Sequence, residues 1–175
     1  MNDNKHQAVI DFLCNCPQIR DNPLYFNFIN AKDENKQIIT QANDIATHRP
    51  YIDGSVKKRY TFTLIDFKSL SYNPIVKNIQ VNSSSGSSEP EPAFINENVE
   101  EILDTQAIID WIREQADINN YPNFGEDCYI DDMRVTSDIP NLNGIDTRTN
   151  PVLAQYSFTI QIDYIDSSKK LWRNS

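Results

Sequence analysis

Glu126, Asp127, Asp131 and Asp132 place four carboxylates within seven residues. Such a group can gather a divalent cation when the backbone turns its oxygens to one point. A small metal-dependent enzyme built on Asp127 to Asp132 is therefore one reading, and an acidic face that meets water is the other. The nearby run Asp138-Ile139-Pro140-Asn141-Leu142-Asn143-Gly144 misses the calcium-loop pattern, because Ile139 stands where the first acidic ligand belongs and Asn150 where the terminal Glu belongs. Nucleophilic catalysis needs a histidine held by a third group. The two histidines, His6 and His48, lie near the N-terminus and in a polar stretch, without the paired spacings of zinc sites. With four glycines in 175 residues the chain carries neither a P-loop nor a dinucleotide fingerprint. The expectation is a protein that binds rather than catalyses, with no catalytic residue, metal or cofactor.

Charge carries the binding signal. The formal net charge is -9, yet residues 1–88 carry net +2 and residues 89–175 net -11. Two unlike halves can supply the two different patches of a head-to-tail contact between copies, and such association weakens with salt. The acidic balance argues against general nucleic-acid binding, which needs clustered Lys and Arg. Lys57-Lys58-Arg59 is the one basic run, and it follows the turn Asp53-Gly54. Asp53, Gly54, Lys57, Lys58 and Arg59 are the candidate interface residues; read without a partner, the same run is the exposed edge of a hairpin. Cys14, Cys16 and Cys128 are odd in number and no secretory signal precedes them, so free thiols in a cytoplasmic, soluble protein are expected. No apolar run reaches the ~20 residues that span a bilayer.

These residues must be held by a scaffold, and its pattern is strong. Tyr60 to Phe67 and Tyr156 to Tyr164 alternate apolar and polar residues and predict two strands far apart in sequence. Leu24 to Ile29 and Gln37 to Gln41 predict shorter strands, with an irregular piece at 45–47. Cys128 to Val135 is also extended, whereas Asn141-Leu142-Asn143-Gly144 predicts a loop. Ala8, Val9, Phe12 and Leu13 mark a short helix. Val99, Ile102, Leu103, Ala107, Ile108, Trp111, Ile112 and Ala116 mark the principal one, with Asp104-Thr105 as a candidate internal cap. The segment 82–94 opens with a Ser-, Pro- and Glu-rich stretch without an apolar residue, and is expected to be a mobile loop. The fold class is α+β, one domain over residues 1–175, with a mixed or antiparallel sheet flanked by helices.

The order of these pieces resembles the tail-terminator proteins of tailed bacteriophages, also called tail completion or minor capsid proteins. An N-terminal helix is followed by Pro23 to Phe28, then Tyr51-Ile52-Asp53-Gly54 with Lys57, Arg59 and Tyr60-Thr61-Phe62, then Ser69 to Asn73. Asp110-Trp111-Ile112, Phe124-Gly125-Glu126 and the Gln155 to Tyr164 strand complete it. The resemblance implies a hexameric ring that caps the completed tail tube and joins it to the head. Its partners would be further copies of the chain, the tail tube protein, the sheath if the tail contracts, and the connector or neck proteins. DNA would pass through the lumen without specific binding, and no membrane would be involved. The implied location is the virion neck, after assembly in the bacterial cytoplasm; a different neck or head-completion component is the alternative within the same class.

Overall fold

The computed structural model describes residues 5–22, 24–26, 36–41, 46–70 and 97–169, without the side chains of 36–41, 46–48, 97 and 98. Segment 82–94, expected to be a mobile loop, lies outside the described residues, as do 27–29 of the first predicted strand. Two 15-residue strands, β4 (Val56–Leu70) and β7 (Val152–Asp166), pair antiparallel along their whole length, from Val56 opposite Asp166 to Leu70 opposite Val152. At ~3.3 Å per residue each is about 50 Å long. Five shorter strands line the two outer edges of this ribbon. β2 (Lys36–Gln41) and β3 (Ala46–Pro50) share the free edge of β4, and β1 (Leu24–Phe26) adds to β2 in parallel. β5 (Cys128–Val135) and β6 (Asn141–Asp146) share the free edge of β7. The architecture is α+β, with a mixed sheet that is antiparallel apart from the β1–β2 pair.

Alternation decides which face is covered. Tyr60, Phe62 and Leu64 of β4 and Tyr156, Phe158, Ile160, Ile162 and Tyr164 of β7 are buried on one face. Three helices close over it. α1 (Lys5–Leu13) buries Val9, Phe12 and Leu13, and α2 (Pro17–Arg20), with proline in its first turn, buries Ile19. α3 (Glu97–Asp117) contributes Ile108, Ile109 and Ile112, and Trp111 stacks near Phe12 with ring centroids 5.1 Å apart. Facing strands and helices thereby form one apolar cluster. The opposite face carries Thr63 and Thr159 in cross-strand hydrogen bond at 3.0 Å, flanked by Thr61 and Gln161.

Three expectations need correction. Asn141-Leu142-Asn143-Gly144 is a strand and not a loop: it pairs with Ser157 to Gln155 of β7, with a bulge between Leu142 and Gly144. Of the irregular piece at 45–47, Ala46 and Thr47 belong to a regular strand, β3, which runs from Ala46 to Pro50, and residue 45 lies outside the described residues. Asp104 and Thr105 do not cap an inner helix. α3 runs through them unbroken, and both side chains bond to β4. Among the described residues no helix is long and apolar enough to cross a membrane.

Candidate functional site

β3 and β4 are joined by a tight turn at one end of the long ribbon. Gly54 N–H donates to the Tyr51 carbonyl at 3.1 Å, and Tyr51 N–H to the Ser55 carbonyl at 2.8 Å. Asp53 holds the turn from within, its Oδ1 accepting from Ser55 N–H at 3.0 Å and Ser55 Oγ at 2.6 Å. Gly54 sits at φ 85°, a left-handed conformation that a Cβ would strain. The outcome is a projecting tip whose apex side chain, Ile52, is 102% exposed. Tyr51 is exposed beside it, and the exposed guanidinium of Arg49 lies 5.8 Å from its ring centroid.

The basic run is not the exposed edge of a hairpin. Lys57, Lys58 and Arg59 follow Val56 at the start of β4, with β3 on one side and β7 on the other. Each meets a carboxylate of the acidic half. Lys57 donates to Asp131 of β5. Lys58 donates to Asp166 at 2.7 Å, and Arg59 forks onto Asp163 at 2.6 and 2.9 Å. The charge asymmetry of the chain is thus partly spent inside the fold. Of the candidate interface residues, Asp53 and Gly54 build the turn and the three cations hold the sheet together. The side chains that the tip offers outward are those of Arg49, Pro50, Tyr51 and Ile52. Sequence reasoning passed over Ile52; the available signal was an apolar residue at a turn position that faces water.

These pairs fix the acid limb of stability. The hydrogen bond from Arg59 brings the Asp163 carboxyl below its ordinary value, against the opposing effect of burial. For Asp166 burial pushes upward, but hydrogen bonds from Lys58 and Ser168 outweigh it and bring the carboxyl down to about 2. A carboxylate with a depressed folded pKa contributes stability in full above its unfolded value, ~3.9, and loses it as pH falls through the folded one. Changing Asp163 and Asp166 together to Asn is therefore expected to lower stability at pH 7 and to flatten its decline between about pH 4 and 2. Urea midpoints across that range read the effect; limbs of equal slope in the two chains would contradict it.

The acidic cluster disperses. Asp131 bonds to Lys57, Asp132 to Arg134 at 2.9 Å, and the Asp127 carbonyl accepts from Ser167 N–H at 2.7 Å. Among the described residues no three His, Cys, Asp or Glu side chains gather as a metal-holding group. His6 bonds through Nδ1 to the Tyr60 hydroxyl, whose pKa burial pushes up to about 12. The His48 side chain lies outside the described residues. No disulfide joins the three cysteines: Cys14 is exposed, Cys128 half-buried, and Cys16 buried with its thiol pushed up to about 11 by that burial.

A second charged group was not legible in sequence. Lys68, 3% exposed, lies 3.6 Å from the fully buried Asp66 and 3.8 Å from Glu101, and it donates to Asp104. Thr105 Oγ1 donates to Asp66 at 2.7 Å. The group fastens the first half of α3 to β4. A cleft of about 570 Å³ opens on the same side of the sheet between α1 and residues 120–125, with Phe12, Trp111 and Phe124 in its wall and Lys5 at its rim. Those aromatic rings belong to the core already described. No protein-family model matches this chain, and no curated protein matches it.

Proposed function

We propose that this protein is a structural component of a tailed-phage particle, a tail terminator that caps the completed tube as a ring and joins it to the head. The observation that carries the reading is the order of the resembling pieces within one sheet-and-helix layer. The 51–54 turn, the basic start of β4, the Trp111 segment of α3, the Phe124-Gly125 bend and β7 follow one another as in those proteins. On this reading the work is steric: a ring seated on the last tube subunits occupies the surface that another tube subunit would need, and its far face receives the connector. No bond is made or broken.

Labelled protein added to purified tail tubes, viewed by electron microscopy, tests this directly. A ring at the head-proximal end of the tube is the expected image. Label elsewhere in the neck would transfer the protein to the other head-completion components, and its absence from virions would overturn the proposal.

A further inference from the structure

Apart from Ile118 and Tyr129, the exposed large apolar side chains of the described residues fall into two groups at opposite ends of the β4–β7 ribbon. At one end is the hairpin tip with Tyr51 and Ile52. At the other, Val99, Ile102 and Leu103 of α3 lie beside Ile139, Leu142 and Ile145 of β6 and the turn before it; each is between 38% and 69% exposed. Register, hydrogen bonds and helical spacing set these six on one side of the sheet at that end. Leu142 and Ile145 stand opposite Tyr156 and Ala154, on the face that the helices cover. Gln106 and Arg113 of α3 bond to Ser137 and Asp138 just before β6. Val99 and Leu103 continue the stripe of Gln106, Asp110 and Arg113 at steps of three and four, with Ile102 next to it. A contiguous exposed patch of large apolar side chains marks an interaction surface.

The geometry points to a second copy of this chain as the occupant, its Ile52 tip seated on the α3–β6 patch of its neighbour. Charge selects this arrangement over the symmetric ones. Glu100, Glu101, Asp104, Asp110 and Asp138 border the patch; Arg113 answers Asp110 and Asp138, and the buried Lys68 answers Glu101 and Asp104 as well as the buried Asp66. Patch against patch would bring two acidic rims together. The charged side chain that the tip turns outward is a cation, Arg49, while the Asp53 carboxylate is held within its own turn by Ser55. The tip precedes Val56, whereas the patch flanks the strand ends around Lys68, about 40 Å along β4 at ~3.3 Å per residue. A surface at one end that fits a different surface at the other is a heterologous contact, which propagates and closes when the rotation allows. Closure into a ring rests on the function proposed above; the contact itself rests on these two surfaces.

Cross-linking in a Cys14→Ser background tests it. A chain carrying Ile52→Cys, mixed with a chain carrying Leu103→Cys and oxidised, is expected to give covalent dimers, whereas neither alone does. Ile52→Asp, a fully exposed position where folding is not at stake, is expected to weaken association about tenfold or more, since it would bury a carboxylate against apolar and acidic surface. Light scattering of the free protein and of protein bound to tail tubes reads that loss. If the mixed cross-link fails and Ile52→Asp and Leu103→Asp leave the assembly unchanged, the contact is overturned while the ring survives. A wild-type chain that is monomeric both free and on tubes overturns both.

Discussion

Lys68→Met is expected to lower the stability of the folded chain by about 3–5 kcal/mol, the usual cost of removing one member of a buried ion pair. The cation lies 3.6 Å from a carboxylate, Asp66, that is fully buried. Removing it takes the ammonium away from the buried Asp66 and also from the half-exposed Glu101 and Asp104, so three carboxylates then repel one another around the place it held. The helix half from Glu97 to Thr105 should loosen first, because its polar attachment to β4 passes through Lys68 and through Thr105 on Asp66. The double variant Lys68→Met with Asp66→Asn should regain part of the loss, since no full charge is then left at the fully buried position. Urea unfolding of the two chains measures this. A single variant within 1 kcal/mol of wild type, by the central range for exposed pairs, would mean that solvent reaches the site.

The pH behaviour of this group runs opposite to that of the Arg59 and Lys58 pairs. Burial pushes the Lys68 pKa down, but Asp66, Asp104 and Glu101 outweigh it and the net shift is upward. A lysine raised in this way contributes stability below its unfolded pKa, ~10.4, and loses it only as pH rises through the higher folded value. Glu101 is raised chiefly by burial, with Asp104, Asp66 and Glu100 adding to the rise against Lys68. The folded chain therefore holds that proton more tightly than the unfolded chain, and acidification relieves the cluster while it weakens the strand pairs.

Phe124→Ala is the other large effect, about 3–5 kcal/mol for an aromatic core truncation. Phe124 belongs to no helix or strand, yet it is 2% exposed. Its ring meets Tyr60 at 5.8 Å and 72° and Tyr164 at 5.3 Å and 89°, both edge-on, and Lys5 Nζ lies 5.9 Å from its centroid. Edge-to-face contacts of this kind add about 0.5–1.5 kcal/mol beyond burial. The connection from α3 to β5 is thus pinned to both long strands by one side chain. Thermal unfolding should show Phe124→Leu well above Phe124→Ala, since leucine refills most of the volume; equal melting temperatures would place the ring's contribution elsewhere.

How far the chain could be read from its letters follows from the range of the interactions. β4 and β7 were legible because their alternation is local and nearly unbroken, and α3 because its apolar stripe has helical spacing. The start of β4 was obscured by Lys57, Lys58 and Arg59. Three consecutive cations resemble a solvated turn, and what makes them strand residues is Asp131, Asp163 and Asp166, about a hundred residues later for two of them. β6 was hidden for a related reason: Asn141, Asn143 and Gly144 favour turns locally, but the free edge of β7 offers them a complete ladder. Asp104 and Thr105 carry capping chemistry that tertiary bonds redirect to β4. For the candidate site, the turn at Asp53-Gly54 was readable from its residue types, whereas the consumption of its basic neighbours was not. The acidic cluster at 126–132 looked convergent only along the chain; the bulge at Asp131 and strand pairing send Asp131 to Lys57 and Asp132 to Arg134.

The pairing of β4 with β7 has a consequence for how the chain folds. Nearly a hundred residues separate the partners, and every other strand except β1, which adds to β2, is laid on one or the other of these two. Contact order is accordingly high, and barriers of this kind make folding slow. During synthesis β4 leaves the ribosome with the edge meant for β7 unoccupied, a fifteen-residue row of open donors and acceptors of the kind that templates aggregation. The cations that begin β4 repel a second copy of the same strand until their carboxylates arrive, and they thereby act as gatekeepers of the nascent edge.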